Sequence, residues 1–350
     1  MNKNITLLTD YRGFFYTAVK NGRDGANTDI ESIEKYFSEE GYNLTIKRFR
    51  DIDFKAKNYS NQYILYQSTE DRGLRYKDYI EDILLGLKLQ GAILIPDFRY
   101  FRAHHNKVFM EILRDLSENE NIKNMSAKGF GSYEDLKGAP GNRFTNVVIK
   151  TASAAAGRGV RLIRTKRDIK KCAKKISRSM NFVEAVKDVV KSFIWKGYIP
   201  QSQYRKKFIV QNFITDLPCD YRVQVYGDKY YVLLRSTRKK NFRASGSGHY
   251  EWIKDLPSGL LDFADSVFRC FPTPYISLDI GYDGKDYYLF EFQFVSFGSM
   301  TLDHSDCYFM RDKDRWIMHE GKSSLERELV RSVIKYIEEK KYLSYTNSVR

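Results

Sequence analysis

The sequence predicts a mixed α/β protein made of α+β lobes, and three observations predict it. Strand-like and helix-like segments alternate as β-α-β-α-β over residues 1 to about 100, the pattern of a small parallel sheet with crossover helices. From Phe144 onward short alternating strands dominate, with hairpin turn signals at Gly227-Asp228 and at Asp283-Gly284-Lys285. Amphipathic helices separate these groups of strands, including a basic one over residues 164–178 with Ile169, Cys172, Ala173 and Ile176 at helical spacing.

In chain order, NITLLTD at residues 4–10 reads as the first strand. DIESIEKYFSEEGYNLTIKRF reads as a helix, a stop at Gly41 and a second strand; NQYILYQST is the third. YKDYIEDILLGLKLQGAILIPD is a helix, a stop at Gly91 and a strand ending at Pro96. HNKVFMEILRDLSENE is a further helix, and residues 119–145, rich in Asn, Gly, Lys and Ser, read as a connection. FTNVVIK is then a strand, TASAAAGRGV a loop of small residues and RLIRT a short strand. Residues 180–195 (MNFVEAVKDVVKSFIW) form a second amphipathic helix after the basic one. Strands follow at KKFIVQNFI, DYRVQVYGD and KYYVLLRSTR, then the polar stretch KKNFRASGSGHYE, the helix GLLDFADSVFRCF, the hairpin YISLDIGYDGKDYYLFEFQF and a last helix from Ser323. No internal repeat or low-complexity tail is seen.

Composition sets the class. The 350 residues are 42% apolar and 15% aromatic, which suits a folded chain with more than one core. No run of about 18 apolar residues is present, so no membrane span is expected. The N-terminus lacks an apolar signal core, and Cys172, Cys219, Cys270 and Cys307 are scattered without a C-x-x-C; both favour reduced thiols and a cytoplasmic location. The net charge of +15 points to anionic partners: nucleotide phosphates, an anionic substrate, nucleic acid or a membrane surface. The basic helix reads as a solvated face.

The hairpin near residue 280 carries the chemistry. Ile276, Leu278 and Ile280 alternate with Ser277, Asp279 and Gly281, and Phe290, Phe292 and Phe294 alternate with Glu291 and Gln293. If both apolar sets face one core, a three-residue loop at Asp283 to Lys285 brings Asp279, Glu291 and Gln293 together on the opposite face. Carboxylates crowded there repel unless a cation is present, and Mg²⁺ is held by one or two carboxylates plus substrate phosphates. Elsewhere, Lys150 ends a strand before a loop containing Ser153, Gly157 and Gly159, whose backbone can approach a polyphosphate. The loop is neither a Walker loop nor a Rossmann turn. Gln211 and Asn212 end a strand, where amides read a base edge or cap the strand. Asp220, Arg222, Arg235 and Arg238 flank the apolar positions of a hairpin, and Arg243 lies in NFRASGSG; arginine forks suit carboxylate or phosphate.

The order of these pieces resembles the ATP-grasp superfamily, which includes D-alanine–D-alanine ligase and the ribosomal-protein glutamate ligases. The pieces are a β-α lobe, Lys107 on a helix, Lys150 before a small-residue loop, the strand IVQNFI, DYRVQVYGDKYYVLLR, NFRASGSG, and Asp279 followed by Glu291-Phe292-Gln293. The resemblance covers residues 100 to 300 well and the N-terminal lobe more loosely. It implies an ATP-grasp fold with a pre-ATP-grasp domain at residues 1–118, a small lobe with connection at 119–208 (flap 150–160) and a C-terminal lobe with the metal site at 209–350. By resemblance, Lys107 and Lys150 contact ATP, residues 153–159 form the flap, and Gln211, Asn212 and Ile214 lie by the adenine. Asp279, Glu291 and Gln293 take Mg²⁺, with Mn²⁺ as the alternative ion. Arg222, Arg235 and Arg243 face phosphates or an acyl-phosphate. The chain departs from the family in having Gln293 where Asn is usual, Gln211-Asn212 where acidic residues are frequent, and VSFGS after the metal strand.

The implied activity is an ADP-forming ligase that activates a carboxylate as acyl-phosphate and joins it to an amine, on a small-molecule or peptide carboxylate. A phosphotransferase on the same fold is the nearest alternative, and a nucleic-acid-binding protein the non-enzymatic one, against which no zinc-finger, RNP-type or helix-turn-helix signature appears. Acceptor identity and oligomeric state, a homodimer among the options, are left open by the sequence.

Overall fold

The computed structural model describes residues 3–16, 28–69, 71, 73–139, 146–153, 159–215, 217, 219–236 and 249–348. The chain divides into two compact units, one of Met1–His104, Cys219–Ser236 and His249–Arg350, the other of His105–Pro218 and Thr237–Gly248. The expected N-terminal and C-terminal segments therefore form one unit rather than two. The cause is a shared core: Ile5, Leu7, Phe37 and Leu65 from the N-terminal part cluster with Tyr226, Tyr275, Phe297, Val330 and Val333.

The first unit begins with β1 (Asn4–Thr9), α1 (Ile30–Glu39), β2 (Asn43–Arg48), β3 (Tyr63–Tyr66), α2 (Arg75–Leu89), β4 (Ile93–Ile95) and α3 (Phe98–Ala103). The strands pair in parallel in the order β2-β1-β3-β4, as the alternation predicts. α1 starts where the Asp29 side chain accepts from the Glu31 N–H and stops at Gly41, whose φ of 73° few other residues tolerate.

The second unit carries α4 (Lys107–Asp115), β5 (Ala127–Phe130), α5 (Tyr133–Gly138), β6 (Val147–Thr151), β7 (Val160–Ile163), α6 (Lys166–Ser177), α7 (Phe182–Ile194) and β8 (Phe208–Asn212). β5 and α5 lie in the stretch expected to be a mere connection. β5 completes an antiparallel sheet of order β5-β8-β6-β7. One face of that sheet packs Val147, Ile149, Ile163, Phe208 and Val210 against Ile169, Cys172 and Ala173 of α6, the stripe read from the sequence.

The first unit resumes with β9 (Cys219–Tyr226), β10 (Lys229–Ser236), β11 (Tyr250–Glu251), α8 (Leu260–Arg269), β12 (Tyr275–Tyr282), β13 (Tyr287–Gln293), α9 (Met300–Asp303), β14 (Cys307–Asp312), β15 (Arg315–Glu320) and α10 (Leu325–Ser348). Its antiparallel sheet runs β13-β12-β9-β10-β14-β15, with β11 on β10. The β14–β15 hairpin was not anticipated. Its turn signal, Asp312-Lys313-Asp314, carries no glycine, and Lys313 itself takes the positive φ of 54°.

Candidate active site

The β12–β13 hairpin reaches its expected parity by a different route. Tyr282 pairs with Tyr287, so the loop has four residues, Asp283 to Asp286, rather than three. A bulge then inserts Phe290, so Ile280 faces Leu289 and Asp279 faces Glu291. The extra loop residue and the extra strand residue cancel. Asp279 and Glu291 are thus direct register partners, and Ser277 faces Gln293. Phe290 leaves the apolar set as a correction: Leu289, Phe292 and Phe294 are buried, while Phe290 is half-buried on the bulge.

On its other side Asp279 pairs with Arg222 of β9, and Asp220 pairs with Arg235 of β10. Because directly opposed residues share a sheet face, Glu291, Asp279 and Arg222 form one row. Arg222 donates Nε to Asp279 Oδ1 at 2.9 Å and Nη2 to Oδ2 at 3.1 Å. Arg235 donates Nε to Asp220 Oδ1 at 2.6 Å, and its Nη2 lies 2.9 Å from Asp279 Oδ2. Gln293 donates Nε2 to Glu291 Oε1 at 3.1 Å. Burial pushes the Asp279 carboxyl up, but the guanidiniums of Arg222 and Arg235 outweigh it and hold the group well below the usual carboxylate range. Burial pushes Asp220 upward more than Arg235 pulls it down. Burial also opposes the charge of Arg235, and Asp279 and Asp220 more than restore it.

These contacts change two assignments. Arg235, aimed at phosphates by the sequence reading, has a side chain only 4% exposed and is paired with Asp220 and Asp279. It positions the carboxylates rather than facing a ligand. Asp279, expected as a metal ligand, has both oxygens engaged by arginines, because β9 and β10 put the two cations directly beside it. Arg222 keeps a side-chain exposure of 22%. Arg243 and Gly157 lie outside the described residues.

In the second unit, Lys150 and Gln211 occupy one face of the sheet, opposite the α6 core. Val148 pairs with Gln211 and Lys150 with Ile209, which makes Lys150 and Gln211 diagonal neighbours. α4 crosses this face near Gly129, where a Cβ would come within 2.8 Å of Val108 Cγ1. The backbone N–H of Lys107, the first residue of α4, donates to Ala152 O at 3.0 Å. Lys107 is thereby tied to the turn that follows Lys150. Ser153 is exposed on that turn; Asn212 is exposed at the end of β8, and Ile214 is half-buried just beyond it. Gln211 is buried, and its Nε2 has no hydrogen-bond partner.

Gly159 closes the β6–β7 connection by accepting from Thr151 N at 3.2 Å, at a φ of 74°. A Cβ there would run into the Thr151 side chain. Gly159→Ala is expected to destabilise the second unit by about 2 kcal/mol or more, through strain plus clash. Hydrogen exchange at Thr151 and Val160 checks this; unchanged protection would show that the turn tolerates a side chain.

Neither a protein-family model nor a curated protein sequence matches the chain. Solved structures do. A D-cycloserine synthetase is 8% identical, with 94% of this chain and 98% of that one covered at a TM-score of 0.54. The macrocyclase MdnC of Microcystis aeruginosa MRC, bound with precursor peptide MdnA, is 10% identical over 95% and 99% of the two chains, TM-score 0.50. The ATP-grasp ligase PsnB, complexed with minimal precursor, Mg and ADP, is 11% identical over 96% and 98%, TM-score 0.50. The chain has the ATP-grasp fold. The likeness extends over the N-terminal sheet as well, beyond the stretch of residues 100 to 300 where the sequence resemblance is clear.

In this fold the segment after β13 is tied to β3 and β9 by hydrogen bonds. Ser296 donates its N–H to Gln67 Oε1 at 2.7 Å and its hydroxyl to Ser68 O at 3.1 Å, just past the end of β3. Gln224, in register with Ser277, is fully buried and donates to Gly298 O. Sequence reasoning missed Gln67 and Gln224; for Gln224 the signal was there, a polar residue at the alternate position after Asp220 and Arg222. For a cation, the donor set is tested by its chemistry. Glu291 and Gln293 supply hard oxygens from half-buried side chains, which suits Mg²⁺ with phosphates completing its shell. Among the described residues no group of three or more His, Cys, Asp or Glu side chains forms an all-protein cage.

Proposed function

We propose that this chain is an ATP- and Mg²⁺-dependent ligase that activates a carboxylate as its acyl-phosphate and joins it to an amine, releasing ADP and phosphate. The observation that carries this is the row Glu291–Asp279–Arg222 on one face of the large sheet, backed by Arg235 and Asp220. In the ATP-grasp fold such a face supports phosphoryl transfer rather than acid–base or nucleophilic side-chain catalysis.

Glu291 and Gln293 would hold the Mg²⁺, which when bound neutralises phosphate charge. Asp279 keeps Arg222 extended along the face, with one edge of its guanidinium engaged and the other able to meet an anionic oxygen. Arg235 and Asp220 lock Asp279 in place. Lys150 and Lys107 of the second unit would contact the nucleotide, with Ser153 and Gly159 in the turn over its phosphates and Gln211, Asn212 and Ile214 toward the base. Arg243 is proposed for the acyl-phosphate. Carboxylates of peptide or small-molecule kind fit the proposal; of the compared proteins, MdnC is bound with a precursor peptide and PsnB with a minimal precursor.

The test is an ADP-release screen over carboxylate and amine pairs, with mass spectrometry of products. Amide with ADP and phosphate is the expected result; a stable phosphorylated product would replace the ligase by a phosphotransferase. Lys150→Ala is expected to weaken ATP binding by about 2 kcal/mol, the scale of a lost charge-assisted contact. Calorimetry returning wild-type affinity would remove Lys150 from the site.

A further inference from the structure

A cleft of about 510 Å³ opens in the first unit, at the end of the large sheet opposite the Asp220–Arg235 pair. Its walls are the Gly227–Asp228 turn, the C-terminal end of α8 with residues 271–274, the tip of the β14–β15 hairpin and one side of α10. Gly227 follows Arg222 by five residues, roughly 17 Å at strand rise. Tyr230, in the wall, opposes Val225 and so lies on the sheet face away from Arg222 and Asp279. The cleft is therefore distinct from the phosphate face, and its volume is that of a small-molecule site.

Its charges select the ligand. Three carboxylates and five cations line it. Each carboxylate is already met within the wall: Asp228 by Arg331 and by Lys335 at 2.8 Å, Asp265 by Arg269 at 2.8 Å and Arg311 at 3.2 Å, and Glu339 by Lys335 at 4.0 Å. Lys313 and Lys340 make no ion pair among the described residues. Burial lowers the Lys340 ammonium below its ordinary value; Asp97 restores only part of it, and Arg99 and Lys88 lower it further. The cleft thus keeps two positive charges to which its own walls supply no counter-charge. Much of the remaining wall is apolar: Phe271 and Tyr336 are buried, and Phe268 and Met310 are half-buried. Lys340 Nζ lies 4.7 Å from the centre of the Tyr336 ring, so charge and apolar surface adjoin.

We propose that this cleft is a second ligand site, for a small amphipathic anion whose aromatic body packs against Phe268, Phe271 and Met310 and whose acidic group meets Lys313 and Lys340. Such a ligand rests on the ends of the strands that carry Arg222, Arg235 and Asp279: Gly227 donates its N–H to Pro274 O at 2.9 Å, and α10 clamps Asp228. The proposal does not depend on the ligase reading.

The test uses anilinonaphthalene sulfonate, an aromatic monoanion that fluoresces on leaving water, beside phenylnaphthylamine, which has the same rings and no charge. Titrated into the full chain without ATP, the sulfonate is expected to bind saturably, one per chain, and to raise the melting temperature. Lys313→Glu with Lys340→Glu should raise its dissociation constant about 30-fold or more and leave binding of the neutral dye nearly unchanged. Both lysines are exposed, so the melt of the dye-free variant should match the wild type. Lys313→Arg with Lys340→Arg should retain binding. Lys170→Glu with Lys171→Glu, on the exposed side of α6, removes the same charge elsewhere and should also retain it. Absence of saturable sulfonate binding overturns the proposal. So does sulfonate binding that survives the Lys313 and Lys340 reversals, which would place the dye elsewhere, as on the exposed apolar side of α7. Equal losses in the Lys170 and Lys171 control would reduce the effect to net charge and overturn it as well.

Discussion

Glu291→Ala is expected to lower ATP turnover by roughly 1,000-fold or more while leaving the fold intact, the scale on which aimed electrostatic groups contribute to a transition state. The size of the effect follows from the neighbours. Asp279 cannot take over as an oxygen donor, because Arg222 and Arg235 already engage both of its oxygens. Gln293 is neutral and, in the absence of Glu291, loses the acceptor of its own hydrogen bond. Stability should change little, since Glu291 is only half-buried and Asp279 keeps its arginines. Glu291→Asp should retain part of the activity and shift the Mg²⁺ dependence to higher concentration. The measurement is steady-state ADP release across a Mg²⁺ titration, beside a thermal melt. Wild-type turnover of Glu291→Ala at moderate Mg²⁺ would remove the residue from the metal site.

The register that brings Glu291 to Asp279 was legible because side-chain period and hydrophobic burial leave few alternatives: a one-residue slip would have turned Ile276, Leu278 and Ile280 to the wrong face. Parity is all such an argument carries. It could not tell a three-residue loop from a four-residue loop plus a bulge at Phe290, since both leave Asp279 and Glu291 on the same side. The parallel lobe was legible because Gly41 and Gly91 stop two helices and each is followed by a short strand.

Pairing between distant strands was not legible. Nothing local in CDYRVQVY says that its two charged residues face β10 on one side and β12 on the other, so Arg235 read as a ligand contact when it is a buried partner of Asp220 and Asp279. The polarity of α7 was hidden for the same reason. Its amphipathic pattern was plain, but the usual assumption that the apolar side faces inward fails when Tyr198 and Gln201 supply polar partners for Asp188 instead.

Arg235→Met is expected to cost about 3–5 kcal/mol of stability at neutral pH, the range for removing one member of a buried ion pair. The methionine replaces much of the side-chain volume, so the loss reports charge more than cavity. Two nearly buried carboxylates, Asp220 and Asp279, would be left with Arg222 as the neighbouring cation. The pH dependence separates this from a packing defect. In the wild type, Asp279 is held below its ordinary value, so its contribution is present above the unfolded carboxyl pKa of about 3.9 and is lost only as pH falls through the lower folded value. Asp220, raised by burial, runs the other way: its contribution falls as pH climbs from the unfolded value through the folded one. Removing the Arg235 cation raises both groups in the folded variant, so that state takes up protons at a higher pH than the wild type does. The stability gap should therefore be widest near pH 7 and narrow steadily as the solution is made mildly acidic. Asp220→Asn added to Arg235→Met should recover part of the loss, a non-additivity that only a direct charge coupling produces. Urea denaturation of four proteins, the wild type, Arg235→Met, Asp220→Asn and the double variant, between neutral and mildly acidic pH makes the comparison. A gap that stays constant with pH, or a double variant whose losses simply add, would mean that Arg235 contributes through packing and not through the two carboxylates.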